Sequence, residues 1–536
     1  MMQGRSNRAS LPLGFSDFSV LRIKSKIYVD KTCLINELIK DDGFYFLSRP
    51  RRFGKTLLVS TVESLFKDGL KYFKGLAIAD SWHDKTYPVI RMDFSACRIF
   101  QSIEEFKTKF ENMVFSASES AGFTLPEIGI RGIGNVADAF ERMLKNDASS
   151  PVLLMDEYDA PLNSCLHSPK LFEEVQAELF SFYDCLKRLS SRFRLILVTG
   201  ICRYKNLGIF SGVNFMTDIS MRPEYGTLLG YTEDELRSFF SQHIEQAARV
   251  LNLSFDECMQ RLTYYYDGYC FDKKASKHVY TPWSVLNFLS YPEDGFQNYW
   301  YDSAGRPSVL LNYIKSHSLK DPKAYGKNQI ISSDELNSSQ DLADIGDLSL
   351  LVQAGYLTIK SVEPGGEVFT VNYPNAEVSC SMSKLYAEQL FGKNADSMIE
   401  TSSLGLFMNF APNEIVRRLN LLFKSIDYVR YPVNDEASLR SFLQIYLTGG
   451  GVYELNIEKH NAFGRSDLEF RAGNRYFVIE LKYARAGDDI RKLLMSAKEQ
   501  LIKRQYGEQS HPELTHVRMA LVFSKQDRQF VADQIF

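Results

Sequence analysis

Residues 44–58, FYFLSRPRRFGKTLL, decide how the first part of this chain is expected to fold. The stretch starts as an apolar strand, turns at a proline among arginines, and reaches Gly54-Lys55-Thr56 before a helical pattern. A strand, a glycine-lysine loop and a helix are typical of a phosphate-binding loop, in which backbone N–H groups and the helix N-terminus hold phosphate. The usual pattern has an earlier glycine where this chain has Arg49, so the loop by itself leaves the interpretation open.

Strand-like and helix-like runs alternate from residue 44 to about residue 201. Strand patterns cover residues 44–48, 88–96, 151–160 and 193–201, with helical patterns between them. Continuous apolar strands with helical crossovers predict a parallel sheet with helices on both faces. We therefore expect an α/β P-loop NTPase domain over residues 1–230.

Composition limits the classes of protein that this chain can represent. Its 536 residues predict roughly two to four domains. The hydrophobic fraction of 45% and the charged fraction of 24% are those of a soluble globular protein. The formal net charge of −3 gives no general attraction to nucleic acid, so such binding would need local patches. Eight scattered cysteines without a C-x-x-C pair argue against a zinc site or a disulfide framework.

The sequence also carries no sign of a membrane or export segment. No apolar run approaches the roughly 18 residues that cross a bilayer. The first ten residues, MMQGRSNRAS, lack the apolar stretch of a secretory signal. We expect a cytoplasmic protein that does not associate with membranes.

Two more features accompany the loop and would complete a nucleotide site. In the loop, Lys55 would reach the β- and γ-phosphates and the Thr56 hydroxyl would bind Mg²⁺. The strand VLLMDEYD ends in Asp156, a carboxylate for the Mg²⁺ shell, and Glu157, which can activate water as a general base. Thr199, at the polar end of LILVTG, can sense the γ-phosphate. Taken alone, the acid pair could be solvated acids at a strand end, and Thr199 could cap its strand. Together with the loop, these features predict ATP hydrolysis with Mg²⁺.

Arginine fingers are less well defined by the sequence. Arg203 and Lys205 follow the strand that carries Thr199, and Arg222 is a third candidate. Each of these cations is more often a surface charge than an arginine finger.

After residue 230 the pattern becomes helical and then winged-helix-like. Thr232 and Glu235 have the spacing of a capping box at a helix start. Near residues 340–375, a helix end is followed by two strand patterns joined by a Pro-Gly-Gly turn. Wings of this kind contact DNA in some proteins and form a structural lid in others, and both interpretations stay open for the region 231–395.

The last part of the chain, residues 396–536, has a second group of acidic residues. GRSDL contributes Asp467, and IELKY contributes Glu480 and Lys482, two residues apart on one face of a strand. The two carboxylates could share Mg²⁺, and the lysine could orient or deprotonate the water that attacks a phosphodiester. Either Glu458 or Glu436 could complete the metal shell, with Glu458 slightly favoured. An exposed strand with alternating charges remains the ordinary alternative.

The order of elements in this region is read as αβββαβ. Its second helix carries basic residues beside the acidic group, and Arg485 comes just before that helix. The residues on the helix are Arg491, Lys492, Lys498, Lys503 and Arg504. These basic residues could contact nucleic-acid phosphates, with strong salt dependence. Asp488, Asp489 and Glu499 dilute the positive charge, so a solvated helix face is as good an explanation.

Several motifs together resemble the bacterial AAA-ATPase-like family that carries a C-terminal PD-(D/E)XK nuclease-like domain. They are YVDKT (28–32), RPRRFGKT (49–56), LLMDEYDAPL (153–162), LVTGI (197–201), IFSGVN (209–214), DIS (218–220), YDGYCF (266–271) and YTPWSVLNFL (280–289). The resemblance covers nearly the whole chain and makes the R-P-R-R-F-G-K-T form of the loop a family feature. It implies that Arg51, Arg52 and Phe53 belong to the nucleotide loop and that the C-terminal domain has a restriction-endonuclease-like α/β fold. It also implies that Gln500 and Tyr506 accompany the acidic group.

The leading hypothesis is an ATPase coupled to a Mg²⁺-dependent nuclease that cuts DNA, with RNA as the less favoured substrate. Defence against foreign DNA and DNA repair are the roles considered, and a homo-oligomer is possible. The alternative is an ATP-dependent switch whose C-terminal domain binds nucleic acid or a protein without cutting. A purely scaffolding protein is the third and least favoured interpretation.

Overall fold

The structure is a computed structural model that describes most of the chain. The described residues are 9–128, 134–145, 149–203, 216–300, 325–337, 347–391, 402–452, 454–461, 464–503 and 511–536. Contacts divide the chain into two compact units, Met1–Ser318 with Asn328–Glu377, and Leu319–Lys327 with Val378–Phe536. The first unit therefore contains both the expected nucleotide region and the winged-helix-like region. The three-domain division at residues 230 and 395 stays a prediction.

A five-stranded parallel sheet forms the centre of the first unit. Its strands are β1 (Gly43–Ser48), β2 (Val89–Asp93), β3 (Val152–Asp156), β4 (Leu195–Gly200) and β5 (Thr217–Asp218). They lie in the order β2-β3-β4-β1-β5, and all neighbours are parallel. Every residue of β3 and β4 is buried, which is why these strands are apolar without alternation. The α/β P-loop prediction is confirmed in this sheet.

Helices cover the sheet and supply its crossovers. They are α1 (Phe18–Ile23), α2 (Thr32–Ile39), α3 (Lys55–Asp68), α4 (Ile103–Ser120), α5 (Val136–Lys145), α6 (Ala160–Ser164) and α7 (Pro169–Arg188). Buried side chains of α4, α5 and α7 form one core with β1 to β4, in which Phe110 and Phe182 meet edge to face at 5.3 Å. The amphipathic period of these helices explains their position on the sheet.

A helical region follows the sheet within the first unit. It contains α8 (Glu233–Phe239), α9 (Ser241–Val250), α10 (Phe255–Tyr266), the short strands β6 (Tyr269–Cys270) and β7 (His278–Val279), and α11 (Pro282–Ser290). The capping box expected at Thr232 and Glu235 is present at the start of α8. A second capping box, by Ser254 and Glu257, starts α10.

The winged-helix-like region closes the first unit. It contains β8 (Gln329–Ser332), α12 (Ser333–Asn337), α13 (Asp347–Ala354), β9 (Thr358–Val362) and β10 (Val368–Asn372). The three strands form an antiparallel sheet in the order β8-β10-β9. The helix and hairpin match the sequence pattern, while β8 was not anticipated.

The second unit is built on a mixed sheet. Its elements, beginning with a helix that starts at the unit boundary, are α14 (Ala376–Phe391), α15 (Ser403–Asn409), α16 (Pro412–Lys424), α17 (Glu436–Gly449), β11 (Leu455–Asn461), β12 (Gly464–Ala472), β13 (Arg475–Ala484), α18 (Ile490–Lys503), β14 (Thr515–Ser524) and β15 (Gln529–Ile535). The strands lie in the order β11-β12-β13-β14-β15, with β13 and β14 parallel and the other neighbours antiparallel.

The αβββαβ order is present from α17 to β14, but the sequence interpretation missed β15. This edge strand is held by Asn420 of α16, whose side chain accepts from the N–H of Phe530 at 2.7 Å and donates to its carbonyl at 3.0 Å. Such a tertiary contact leaves no periodic signal in the sequence. In the part of the chain that the structure describes, no helix combines the length and apolar character needed to cross a membrane.

Candidate functional site

The loop after β1 closes around the side chain of Lys55. This lysine is buried, and its Nζ donates to the carbonyl oxygens of Arg49 and Pro50, both at 2.9 Å. Gly54 precedes the helix with φ +95°, a conformation that disfavours any side chain. Burial lowers the pKa of Lys55, while the nearby carboxylate of Asp156 opposes that shift. The helix N-terminus and a buried lysine thus meet at the end of β1, as a phosphate site requires.

Arg49, which replaces the usual glycine, is part of the framework of the loop. Its guanidinium is buried, with Nη1 donating to the carbonyl oxygens of Ser48 at 2.9 Å and Ser220 at 2.7 Å. It also lies over the Phe271 ring, 4.4 Å from the centroid. Burial lowers the pKa of Arg49 to about 9, helped by the neighbouring charge of Arg203. Arg49 therefore joins the loop to the YDGYCF segment.

The acidic strand lies beside the strand of Thr199 because β4 sits between β1 and β3. Asp156 is buried, and its Oδ1 accepts from the Thr199 hydroxyl at 2.6 Å. Asp159 has a separate role, since its Oδ2 accepts from the N–H groups of Ile201 and Cys202 at 3.1 and 2.9 Å. The two aspartates of DEYD thus have different partners: Asp156 binds the Thr199 hydroxyl, and Asp159 fixes the chain after β4.

Glu157 holds an ion pair in the conformation that the structure shows. Its carboxylate pairs with Arg98, which follows β2. The backbone of Glu157 has φ +51°, unusual for a residue with a side chain, and this turns the residue out of the strand. Burial raises the pKa of Glu157, while Arg98 and Lys55 lower it. An acid with a raised pKa in a cleft is suited to accept a proton from water.

The loop and Glu157 line a cleft of about 440 Å³, whereas the buried side chains of Asp156 and Thr199 do not line it. Of the residues predicted from the sequence, it brings together Arg51, Arg52, Gly54, Lys55, Thr56 and Glu157. Segments absent from that prediction complete the wall: Pro12, Gly14, Phe15, Ser16, Arg98, Tyr231 and Trp283. A neighbouring apolar pocket of about 80 Å³ shares Pro12, Gly54 and Tyr231 with the cleft. A polar cleft beside an apolar pocket fits the phosphates and the base of a nucleotide.

Two loop residues make aromatic contacts that the sequence did not predict. Arg52 lies over the Trp283 ring, 4.1 Å from the centroid, so this guanidinium stacks at the rim of the cleft. Phe53 is buried edge-on between Tyr269 and Phe271, with centroids 4.8 and 5.1 Å away. Its side chain supports the loop from the apolar side and does not line the cleft.

Arg203 was expected at the nucleotide, but its side chain lies in a different cavity. Its Nε donates to the Ser48 hydroxyl at 3.1 Å, and its backbone N–H donates to Oε1 of Gln353 at 2.8 Å. The cavity is lined by residues of the loop and of α13 and β9, among them Pro50, Gln353 and Leu357. Burial by these neighbours keeps Arg203 out of the cleft. Arg222 is exposed and does not line the cleft either, and Lys205 lies outside the described residues, as does the motif IFSGVN.

The winged-helix-like region contacts the nucleotide part of its unit. Gly355, just after α13, has φ +87°, and a Cβ there would come within 2.6 Å of the Pro50 side chain. The turn between β9 and β10 carries Glu363 and Glu367 and no basic residue. A negatively charged wing repels nucleic acid. These contacts favour the lid interpretation over the DNA-contact interpretation.

The second acidic group lies on adjacent strands of the other unit. The pairing of β12 with β13 ends at Leu468↔Ile479, and Asp467 and Glu480 are the next residues on the two strands. Oδ2 of Asp467 accepts from the N–H of Leu481 at 2.8 Å. Nζ of Lys482 donates to Oε1 of Glu480 and to Oε1 of Gln500 on α18, both at 3.0 Å. The structure thus brings Asp467, Glu480, Lys482 and Gln500 together, while Tyr506 and Arg504 lie outside the described residues.

The two candidates for a further acid occupy different sides of this group. Glu458 on β11 is bound by Arg440 at 2.6 Å and Arg465 at 3.1 Å. Glu436, at the start of α17, accepts from the N–H of Tyr483 at 3.4 Å and acts electrostatically on Glu480. Because two guanidinium groups already neutralise Glu458, Glu436 is better placed to join Glu480.

Glu480 has the features of a cation ligand. Burial and the neighbouring charge of Asp467 raise its pKa to about 7, against the opposing effect of Lys482. Its Oε2 is buried without a hydrogen-bond partner, which is costly for a carboxylate and would be relieved by a cation. Asp467 and Glu480 offer the hard oxygen ligands that Mg²⁺ prefers, so the residues fit a divalent metal. Among the residues that the structure describes, however, no three acidic, histidine or cysteine side chains gather closely enough to hold a metal by themselves.

The basic residues of α18 are distributed around its exposed side. Arg491, Lys492 and Lys503 are exposed, and Lys503 pairs with Glu499 at 3.0 Å. These charges are compatible with phosphate contacts near Lys482, and equally with a solvated face.

Comparisons with known proteins agree with this architecture. Residues 12–210 match the sequence model of a family described as "Predicted AAA-ATPase", and residues 434–533 match that of the PD-(D/E)XK nuclease superfamily. By these matches, the first part of the chain is similar to predicted AAA-ATPases and the last part to the PD-(D/E)XK nuclease superfamily. Both domains are those that the sequence resemblance implied.

Individual relatives add little about activity. An Azotobacter chroococcum mcd 1 protein, described as an uncharacterized protein in the vnfD 5′ region, is 27% identical over 486 residues, 89% of this chain and 90% of its own. The solved structures of Aeropyrum pernix ORC2 and Pyrobaculum aerophilum Cdc6p are 12% identical and match 66% of this chain and 91% and 92% of theirs. Their TM-scores of 0.24 and 0.25 are too low to carry an argument.

Sequence reasoning missed three residues that shape the two sites: Arg98, Trp283 and Arg440. Arg98 could have been suspected, because it follows a parallel strand whose carboxyl end meets the same sheet edge as that of β3. Trp283 belongs to the YTPWSV motif, but nothing in its spacing assigns it to the cleft. Arg440 depends on how α17 packs against the sheet, which the sequence pattern does not specify.

Proposed function

We propose that this chain hydrolyses ATP in its first unit and cleaves DNA with a divalent metal in its last domain. The observation that carries the nuclease part is the buried, partnerless oxygen of Glu480 between Asp467 and Lys482. A carboxylate pair with an adjacent lysine supplies both ligands for a cation and a group to handle the attacking water.

In the first unit, the roles follow from the contacts. Lys55 would exchange its two carbonyl partners for phosphate oxygens, and the Thr56 hydroxyl with Asp156 would hold Mg²⁺. Thr199 keeps the Asp156 carboxylate oriented through its 2.6 Å hydrogen bond. Once the Glu157 carboxylate has separated from Arg98, it would accept the proton of the attacking water. Arg51, on the rim of the cleft, adds positive charge for the phosphates.

In the last domain, Asp467 and Glu480 would hold the cation, with Glu436 as the nearest further carboxylate. A bound Mg²⁺ would supply Lewis-acid polarisation of the phosphate. Lys482 would place or deprotonate water, and Gln500 holds the lysine from the helix side through a 3.0 Å hydrogen bond. The raised pKa of Glu480 means that cation binding displaces a proton near neutral pH.

The biological setting is proposed from these chemistries. DNA is the proposed partner beside ATP, in defence against foreign DNA or in DNA repair, and the proposed location is the cytoplasm. The cleft contains Arg98 from the same chain, so a homo-oligomer is not required by the residues that line it.

One observation favours a second function, an ATP-dependent switch that binds nucleic acid or a protein without cutting. Arg440 already neutralises Asp467, and a paired carboxylate can serve structure alone. One measurement distinguishes the two functions: whether phosphodiester bonds are broken.

Separate assays test the two halves of the proposal. Phosphate release from ATP should be lost in Lys55→Ala; release at the parent rate would refute the nucleotide site. Cleavage of linear DNA with Mg²⁺ or Mn²⁺ should be lost in Glu480→Ala and kept in Glu499→Ala, which removes an exposed glutamate of α18. Intact DNA in the parent lane under every condition, together with phosphate release, would leave the switch as the better function.

A further inference from the structure

Arg440 reaches from α17 to the edge of the acidic group. Its Nη1 donates to Oδ1 of Asp467 at 2.8 Å, and its Nη2 donates to Oε1 of Glu458 at 2.6 Å. The arginine side chain is only 14% exposed. One partly buried guanidinium thus binds carboxylates on two neighbouring strands.

The two carboxylates lie at the same level of the neighbouring strands. The pairs Ile457↔Leu468 and Lys459↔Ser466 flank them, and Glu458, with φ +51°, interrupts the pairing between those two pairs. Two negative charges this close repel each other unless a cation lies between them. Arg440 supplies that cation, because it pairs with both carboxylates.

Asp467 is consequently held from two sides. Arg440 binds Oδ1, while the backbone N–H of Leu481 binds Oδ2 at 2.8 Å. A carboxylate has about four acceptor directions, so two donors fix its rotation and still leave lone pairs for a cation. Glu480 on the neighbouring strand β13 is close enough for the charge of Asp467 to act on it, and its Oε2 is buried without a hydrogen-bond partner.

We propose that Arg440 is a positioning residue for the metal site: its guanidinium fixes Asp467 in the orientation that shares a divalent cation with Glu480. This inference rests on the proposed nuclease function. It predicts a direction for the change in metal affinity that is opposite to the one expected from charge alone. A positive charge beside a cation site repels the cation, so charge alone predicts that removing Arg440 strengthens metal binding. Positioning predicts the reverse.

The test measures Mn²⁺ binding to the full-length, nucleotide-free protein by electron paramagnetic resonance and by calorimetry. Glu480→Gln gives the signal that remains without the site. Arg440→Gln should weaken binding about 10-fold or more, the usual cost of losing a partner of a metal ligand. Arg440→Lys, which keeps the charge but cannot span both carboxylates, should lie between this variant and the parent.

Arg465→Gln is the matched control. Arg465 also pairs with Glu458 but makes no ion pair with Asp467, and half of its side chain is exposed. This variant should bind Mn²⁺ as the parent does, because it loses charge without releasing Asp467. Circular dichroism shows whether each variant is folded. If Arg440→Gln does not fold, the test rests on Arg440→Lys, which should bind Mn²⁺ more weakly than the parent.

Two results would overturn the inference and can be told apart. If the parent binds Mn²⁺ and Arg440→Gln binds it equally or more tightly, Arg440 does not position the site, while the proposed function stands. If the parent binds no more Mn²⁺ than Glu480→Gln, the metal site itself fails, and the role of Arg440 fails with it.

Discussion

The hydroxyl of Thr199 donates a 2.6 Å hydrogen bond to Oδ1 of Asp156, joining the ends of two neighbouring parallel strands. Both side chains are fully or almost fully buried. The polar residue of β4 therefore acts on the carboxylate of β3 before any nucleotide is present. Its first role is to orient the acid that would hold Mg²⁺.

Replacing Thr199 by valine should reduce ATP turnover with little change in shape at the site. A hydrogen bond to a charged group is worth about 1.5–3 kcal/mol, which corresponds to a loss of roughly 10- to 100-fold. Steady-state phosphate release measures the effect, and Thr199→Ser should retain most of the activity. Valine activity equal to that of the parent would show that the contact is dispensable.

Removing Arg98 should change the pH dependence of ATP turnover. Burial raises the pKa of Glu157 and Arg98 lowers it, so in Arg98→Ala the pKa rises further. A general base must be deprotonated, and the acidic limb of kcat should therefore move to higher pH. Arg91→Ala removes an arginine of β2 that pairs with Glu63 instead, and its profile should match that of the parent. An unshifted limb in Arg98→Ala would argue that Glu157 is not the base.

Gly355→Ala should impair the nucleotide site from the winged-helix-like region. The new Cβ would meet the Pro50 side chain at 2.6 Å, and the Pro50 carbonyl is a partner of Lys55. We expect weaker binding of a fluorescent ATP analogue and a lower melting temperature. Gly366→Ala in the wing has a similar positive φ but open space, so it should cost only about 1–2 kcal/mol of stability and leave ATP binding intact. Equal ATP binding by both variants would contradict the coupling.

Glu480→Gln should stabilise the metal-free protein at high pH and much less at low pH. The pKa of Glu480 is raised to about 7 in the folded state, so the unfolded chain binds fewer protons between about pH 4.5 and 7. Stability then falls as pH rises through this window, and the glutamine variant escapes a cost on the order of 1–3 kcal/mol at pH 8.

Melting temperatures with a chelator at pH 5 and pH 8 measure this difference. Glu469→Gln is a fitting control, because Glu469 is also buried on the neighbouring strand but has Ser466 and Tyr476 as hydrogen-bond partners. It should destabilise at both pH values. A gain for Glu480→Gln that is the same at pH 5 and pH 8 would show that its carboxyl group does not titrate in this range.

The sheet and the grouping of Lys55, Asp156 and Thr199 follow from sequence because parallel strands bring their carboxyl ends to one edge. Apolar strands bounded by polar residues therefore locate a site without knowledge of side-chain packing. The same logic places Glu480 beside Lys482, since the period of a strand is two.

Other parts depend on contacts between distant segments. Arg203 is buried because Ser48 and Gln353 accept its hydrogen bonds, and Gln353 is 150 residues away. Arg52 likewise stacks on the ring of Trp283, a residue far away in the sequence. A charged residue is read from sequence as exposed, and only tertiary packing reverses that expectation.

The central proposal joins ATP hydrolysis in the first unit to DNA cleavage in the last domain, as the sequence hypothesis of a coupled ATPase and nuclease has it, with ATP controlling the cleavage. The most direct measurement follows phosphate release and the loss of intact linear DNA in the same Mg²⁺ reaction, with and without ATP, for the parent, Lys55→Ala and Glu480→Ala. The account predicts that the parent cuts DNA faster with ATP, that Lys55→Ala loses this ATP dependence, and that Glu480→Ala releases phosphate without cutting. Cleavage by Glu480→Ala at the parent rate, or identical cleavage by the parent and Lys55→Ala in the presence of ATP, would contradict it.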